Sequence, residues 1–497
     1  MFGKILVANR GEIAVRIMRA LREMNIRSVA VFSEVDRPAL HVQMADEAVC
    51  IGPAASSESY LNIARILNTA RETGAEAIHP GYGFLSENAA FAKACEDAGI
   101  KFIGPRWQAI EQMGSKTAAR RLAIQVGAPV VPGTEQGIAD YGEARKTAAA
   151  IGYPVLLKAA AGGGGKGMRR VDNEGELQSA IRGAASEAER AFGSGEVYLE
   201  KYIERPRHIE IQVLGDEHGH LIHLGERECS IQRRHQKVIE ESPSPLVLAK
   251  PELREKIGQA ALQIARAVSY SNAGTLEFLA GQDGNFYFLE MNTRLQVEHP
   301  VTEWVTGLDL VHWQIRIAAG EHLSVKQSDV RWMGSAIECR VYAEDPENNY
   351  FPSPGEITFY SEPSGPGLRV DAGAYTGWRV PIEYDPLLAK LTVWAPDRPA
   401  AVARMRRALS EYRVLGITTN LGLFDAIMRD AEFAAGHLHT GFLDEFKARS
   451  RTIAGDGDEI LASVLAAAAV PAERPSREHN GMHSQNWRAA ARRGLLP

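Results

Sequence analysis

Four cysteines in 497 residues, Cys50, Cys95, Cys229 and Cys339, form no Cys-x-x-Cys pair. That spacing removes both a paired-thiol zinc site and a secreted disulfide scaffold, and it suits a reducing compartment. No apolar run approaches the length that spans a bilayer, and Met1 to Ala8 reads as a strand rather than a signal peptide. A cytoplasmic chain is expected, neither exported nor anchored. Basic residues are not in excess: 56 Lys and Arg stand against 62 Asp and Glu, a formal charge of −6, which argues against a nucleic-acid surface. The three glycines of a dinucleotide fingerprint are missing as well. Asn9-Arg10-Gly11-Glu12, after the first strand, has one, so nicotinamide binding is not expected there.

What is present is length and an ordinary globular composition, 45% hydrophobic and 24% charged over 497 residues, enough for about three domains. From residue 4 to about 104, short apolar runs alternate with amphipathic helices: strands at Lys4 to Ala8, Ser28 to Phe32, Ala77 to His79 and Lys101 to Gly104, and helices from Glu12, Tyr60 and Ser86. This is the pattern of a parallel α/β domain. A helix over Lys116 to Val126 and a Pro/Gly-rich link around Pro129, Pro132 and Gly133 lead into a small α/β unit ending near Ile203. Residues 208 to 320 read as strands with two helices, 335 to 395 as strand-rich and 398 to 447 as helical. After about 450 the composition turns Ala-rich, then polar, then basic with one Trp, which fits either a disordered tail or a short docking segment.

Chemistry concentrates in three places. Gly274 to Asn292 reads as a β-hairpin closed by Asp283-Gly284, which sets Glu277 opposite Glu290 and Thr275 opposite Asn292. Facing carboxylates repel, so a hard divalent cation, Mg²⁺ or Mn²⁺, makes sense between them. If the strand runs on, alternation puts Glu290, Asn292, Arg294, Gln296 and Glu298 on one face, with a solvated, charge-balanced face as the plainer alternative. The second place is Ala159 to Gly167, with four consecutive glycines after the buried strand Tyr153 to Lys158. Such a run is either a linker or a lid whose backbone N–H groups close on phosphate, and Lys158 beside it asks for an anion. It is not a P-loop, because Lys166 precedes Gly and a strand follows. The third is Ser230 to Lys237, with four potential cations in five residues, either a solvated loop or an anion cradle.

These motifs together, with Ala8 to Ala14, His79 to Asn88, Glu226 to Lys237 and Glu290 to Pro300, resemble the ATP-grasp ligases and, within them, biotin carboxylase, over roughly residues 1 to 447. The resemblance implies an α/β and α+β fold: an N-terminal parallel α/β (pre-ATP-grasp) domain at 1–114, an ATP-grasp domain at 115–320 with a mobile Gly-rich lid at about 131–203, a C-terminal domain at 335–447 and a tail at 450–497 as a candidate partner-docking segment. It implies that Lys116, Lys158 and the Gly164-Gly165 backbone hold ATP phosphates, that Glu200, Lys201, Tyr202 and Ile203 receive adenine, and that His208, Gln232 and His235 lie near the nucleotide. Glu277, Glu290 and Asn292 would hold Mg²⁺ or Mn²⁺. Lys237, Arg294, Gln296 and the Val297 backbone would bind bicarbonate, Glu298 would be its base, and Arg340 would meet the biotin ureido oxygen. Arg294 and Arg340 have a plainer alternative as structural ion-pair partners, and His79 and His299 read as loop-fixing. No Ala-Met-Lys-Met attachment site is present, so biotin would arrive on a carrier protein, with carboxyltransferase subunits as further partners and a homodimer expected. Ala159 to Gly162 and Tyr384 to Lys390 look more like acyl-CoA or pyruvate carboxylases than minimal bacterial subunits, pointing to acyl-CoA. Another ATP-grasp ligase, such as a carbamoyl phosphate enzyme, is the competing reading.

Overall fold

The N-terminal strands are all parallel, as their apolar runs require once helices cover both faces. In the computed structural model, which describes residues 1–134, 137–138, 140–159 and 168–450, they are β1 (Lys4–Val7), β2 (Arg27–Ser33), β3 (Glu47–Gly52), β4 (Ala77–His79) and β5 (Lys101–Phe102), ordered β3-β2-β1-β4-β5. Strand β3 was not expected from the sequence. Its alternating half-buried residues pair with β2 from Val29 to Ser33 at the sheet edge. The expected Tyr60 and Ser86 helices start later, at Ile63 and Ala89, each capped by an asparagine, Asn62 or Asn88, because a side-chain acceptor satisfies the first free N–H groups.

Helix Lys116–Gln125 then leads to a three-stranded antiparallel unit, β6 (Val155–Ala159), β7 (Arg169–Val171) and β8 (Val197–Lys201), backed by helices Tyr141–Ile151 and Glu174–Phe192. The glycine run at 160–167, including the expected Gly164 and Gly165 contacts, lies outside the described residues, as does the tail from 451.

The site is carried by an eight-stranded antiparallel sheet. Its order is β13 (Phe286–Asn292), β12 (Asn272–Ala280), β9 (Arg207–Gly215), β10 (Leu221–Arg233), β11 (Gln236–Ser242), β14 (Ser335–Tyr342), then strands Leu387–Ala395 and Leu368–Ala372. Ile209, Ile211 and Val213 of β9 point to a core shared with Ile257, Ala261 and Ile264 of helix Glu252–Ala267. The opposite face is left for polar side chains.

The motifs at 8 and 79 interlock: the Asn9 amide donates to the Pro80 and Tyr82 carbonyls, both at 2.7 Å. Three residues past Asn9, the Glu12 nitrogen would lie 2.8 Å from a Cβ on Gly373, so only glycine lets that loop meet the helix Gly11–Glu23. Residues 1–444 form one unit, and residues 445–450, described apart from it, are helical.

Candidate active site

The hairpin expected from the sequence is present, with Thr275 opposite Asn292 and Glu277 opposite Glu290. Its turn is not the expected two residues. Ala280 pairs with Phe286, leaving 281–285 as the loop, and a bulge between Glu277 and Phe278 restores the register beyond Leu289. The longer loop displaces the pairing by one residue and the bulge displaces it back. On the other side of β12, Glu277 lies beside Glu210 of β9, and Glu210 lies beside Arg227 of β10. A row of Glu290, Glu277, Glu210 and Arg227 therefore crosses four strands.

Three neighbouring carboxylates need cations. Arg227, fully buried, donates to Glu210, to Gln212 at 2.7 Å, to Thr275 at 2.9 Å and to Thr302 at 3.0 Å. Lys237 reaches Glu210 at 2.5 Å, Glu277 at 2.8 Å and Glu298 at 2.7 Å. The segment Ser230 to Lys237 is thus no loop. Strands β10 and β11 form a hairpin whose turn residues Arg234 and His235 both have positive φ, 49° and 68°, as a two-residue type I′ turn demands.

Beyond Asn292 the strand stops, correcting the expected five-residue face: 293–298 is irregular and helix His299–Thr306 follows. The side chains converge all the same. Arg294 donates to Asn292 at 3.2 Å and Gln296 at 2.8 Å, and Gln296 and Asn292 donate to Glu277 at 3.3 and 2.9 Å. Glu87, from the motif at 79, fixes the segment by accepting from the Thr293 N–H at 2.9 Å and Arg294 Nε at 2.8 Å. His299 Nδ1 sits 2.8 Å from the Gln296 carbonyl, and Lys390, fully buried, donates to the Val297 carbonyl at 2.9 Å. His79 and His299 are buried loop anchors. Burial pushes His79 down to about 3 and His299 well below the usual histidine range, where nearby cations reinforce it.

Glu298, fully buried, joins two cations: Oε1 faces Lys237, and Oε2 accepts from Arg340 Nη2 at 2.9 Å. Burial would raise its pKa, but Lys237, Arg340 and Arg227 together hold it well below the carboxylate range. Glu277 is lowered in the same way, with Lys237 and His208 overcoming burial. Arg340 Nε donates to a second buried acid, Glu240, at 2.6 Å.

On the nucleotide side, Lys158 already has an anion: it pairs with Glu200 at 2.5 Å, and Arg120 holds the other oxygen at 3.0 Å. Lys116 pairs with Glu290 at 3.2 Å. Lys201 turns to the Gly152 and Tyr153 carbonyls at 3.0 and 3.2 Å. His208 Nε2 lies 3.0 Å from Glu277, and Gln232 donates its amide toward His208 Nδ1 at 3.0 Å. One cleft of about 830 Å³ is lined by Lys116, Lys158, Glu200, Lys201, Tyr202 and Ile203, by His208, Gln232, His235 and Lys237, and by Glu277, Glu290, Asn292, Arg294, Gln296, Val297 and Arg340. Glu298 lies behind this wall. The expected residues among those described are therefore brought to one place. The oxygen donors of Glu277, Glu290 and Asn292 suit a hard divalent cation, since the two acids are in register at the cleft and each now engages a cationic or donor side chain that an ion could replace.

Sequence reasoning passed over Glu87, Glu210, Arg227 and Glu240 as site residues. Glu210 was legible, because His208-Ile209-Glu210-Ile211-Gln212 alternates polar and apolar along β9. Glu240 had no such signal, as its partner Arg340 lies 100 residues away.

Family profiles match the chain in three successive blocks: the biotin carboxylase N-terminal domain over 1–110, the ATP-binding domain of the carbamoyl-phosphate synthase L chain over 115–326, and the biotin carboxylase C-terminal domain over 338–445. A pyruvate carboxylase subunit of Methanothermobacter thermautotrophicus is 55% identical over 465 residues, 93% of this chain and 94% of that protein. A biotin carboxylase of Nostoc is 54% identical, covering 89% of this chain and 99% of that one. The biotin carboxylase domain dimer of Hydrogenobacter thermophilus 2-oxoglutarate carboxylase, solved with MgADP, ADP and bicarbonate, has a TM-score of 0.84 at 52% identity over 90% of this chain and 98% of that one. The central block alone would also suit a carbamoyl phosphate enzyme, but the two flanking blocks do not. This chain belongs to the biotin carboxylase family, ATP-dependent ligases with an ATP-grasp domain at their centre.

Proposed function

We propose that the cleft activates bicarbonate with ATP and passes its carbon to biotin held on a separate carrier protein, with Glu298 as base and Arg340 facing the acceptor. The observation that carries this is the chain Lys237, Glu298, Arg340: one buried carboxylate clamped between two cations that line the cleft. Lys116 and Lys158, with the Gly164-Gly165 backbone, take the phosphates, and Glu200 to Ile203 receive adenine beside His208, Gln232 and His235. Mg²⁺ or Mn²⁺ on Glu277, Glu290 and Asn292 would offset phosphate charge during transfer.

Bicarbonate binds to Lys237, Arg294, Gln296 and the Val297 backbone. At rest Glu298 is a weak base because three cations surround it. Lys237 swinging toward substrate anions removes one of them, so Glu298 gains basicity when bicarbonate is in place to give up its proton. The bicarbonate oxygen attacks the γ-phosphorus and ADP leaves. The resulting carboxyphosphate splits to CO₂ and phosphate, phosphate takes the ureido N–H proton, and Arg340 stabilises the charge developing on the ureido oxygen while nitrogen attacks CO₂.

An acyl-CoA as final acceptor is the finer part of the proposal, supported by the Ala159 to Gly162 and Tyr384 to Lys390 segments. A 2-oxo acid is the second reading, favoured by the 465-residue likeness to a component of a pyruvate carboxylase. The carrier protein and carboxyltransferase subunits would be the partners of a homodimer in the cytoplasm, and 450–497 a candidate docking segment.

ADP release should require bicarbonate and Mg²⁺ and rise with free biotin; a rate indifferent to all three would remove the assignment. Arg340→Ala should abolish biotin stimulation with nucleotide affinity kept, and lost nucleotide affinity would count against its role.

A further inference from the structure

Arg340 is shared. Glu298 accepts from Nη2 and Glu240 from Nε, and the reaction above employs Glu298 and Arg340 but gives Glu240 no work. Yet Glu240 is fully buried, and its Oε2 has no hydrogen-bond partner among the described residues. A buried carboxyl group with half its acceptors unmet is costly to keep, and a glutamine or an apolar residue would fill the same space. The charged groups around it are Arg340, Glu298 and Lys237. Directly across the strand pair lies Glu338, whose Oε1 also lacks a partner and whose other oxygen accepts from Thr392 at 2.8 Å. Burial raises Glu338 well above the ordinary carboxylate value, with Lys390 opposing and Glu240 adding to the rise.

We propose that Glu240 is a positioning residue that anchors Arg340 while Glu298 carries the proton taken from bicarbonate. This rests on the reading of Glu298 as base and Arg340 as the group facing biotin. Once protonated, Glu298 no longer forms an ion pair with Nη2 and keeps only an ion-to-neutral hydrogen bond, weaker than the pair it replaces. That loss comes just before biotin needs the guanidinium in place. Glu240 holds Nε independently of Glu298's proton. Its grip tightens at that moment, because burial raises its pKa, Arg340 opposes, and the negative charge of Glu298 adds to the rise, reaching about 7. When Glu298 is neutral that repulsion is gone and the ionised form of Glu240 is favoured.

Two rates separate this role from a structural one: biotin-stimulated ATP cleavage, and the slower bicarbonate-dependent cleavage without biotin. Glu240→Gln should lower the first by about tenfold to a hundredfold, the size of a lost charged hydrogen bond, with KM for ATP unchanged and the second rate within about twofold. Glu240→Asp, which keeps the charge but falls one methylene short, should show the same split more weakly, and serves if the Gln variant does not fold. In an Arg340→Ala background, Glu240→Gln should add no further loss. An equal fall in both rates, or an additive loss in that background, overturns the proposal. A wild type indifferent to biotin would overturn the reaction and this role together; a stimulated wild type with an unaffected Glu240→Gln variant would overturn the role of Glu240 alone.

Discussion

The floor and the rim of the cleft solve the same electrostatic problem differently. On the floor, Glu210 and Glu298 have no solvent exposure and each meets two cations. On the rim, Lys116 and Glu290 form one pair with side chains 47% and 38% exposed. The floor is arranged before any substrate arrives, since its acids and cations saturate one another in a low-dielectric setting where an unpaired charge is expensive. The rim pairs are weak and solvent-screened, so an incoming anion can replace their carboxylates at small cost. Organisation that must survive turnover is mostly buried here and contacts that must exchange reach the cleft, Lys237, which lines it, being the floor cation that the proposed reaction moves. Lys158 and Glu200, 16% and 6% exposed, stand between the two extremes.

The contrast breaks most visibly at Lys237. Lys237→Met leaves Glu210, Glu277 and Glu298 without their shared cation, and unfolding free energy should drop by about 3–5 kcal/mol, read by urea denaturation at neutral pH. A loss below about 1 kcal/mol would mean that the floor is as loosely held as the rim.

How much of this was open to inspection in the sequence follows the same division. Local pattern carried the parallel N-terminal domain, the pairing of Glu277 with Glu290, and part of the cleft wall, because alternation and turn residues act over a few positions; Lys116, Glu200 to Ile203, His208 and Arg340 came from the resemblance alone. The hairpin register agrees with the sequence pattern although the loop is 281–285 rather than two residues, because the bulge cancels the one-residue shift that the longer loop introduces. By alternation the row from Glu290 to Glu298 reads as a strand. In the structure its convergence comes from Glu87, Lys390 and His299 pinning an irregular segment, with Glu87 and Lys390 contributed from 206 and 93 residues away. Contacts of that span leave no periodic trace. The family resemblance supplied roles that spacing alone could not.

Acid–base behaviour of the floor offers a smaller effect. With its pKa raised from 4.5 to about 7, Glu240 is protonated in the fold over a range where the unfolded chain would ionise it. Unfolding then releases a proton, so this group's contribution is full below about pH 4.5 and is lost as pH rises toward 7, up to roughly 3 kcal/mol. Glu298, lowered instead, works in the opposite sense: its contribution is present above the ordinary carboxylate range and lost only in strong acid. Unfolding free energy followed from pH 5 to 8 should therefore decline more steeply in wild type than in Glu240→Gln. Parallel curves would place the titration elsewhere.

The smallest stability effect belongs to the rim. Lys116→Gln removes an exposed cation from a single pair, and the unfolding free energy should move by less than about 1 kcal/mol. Glu290 can then hydrate without penalty. Nucleotide affinity should respond out of proportion, weakening about tenfold for one lost charged contact to phosphate, as titration of the wild type and the variant with ATP would measure. If stability falls with affinity, Lys116 is part of the preorganised floor; if neither moves, the lysine faces solvent and phosphate is held by the other cations of the cleft. Only the split outcome, a stable fold with a weakened nucleotide site, agrees with a rim whose ion pairs are placeholders for the substrate.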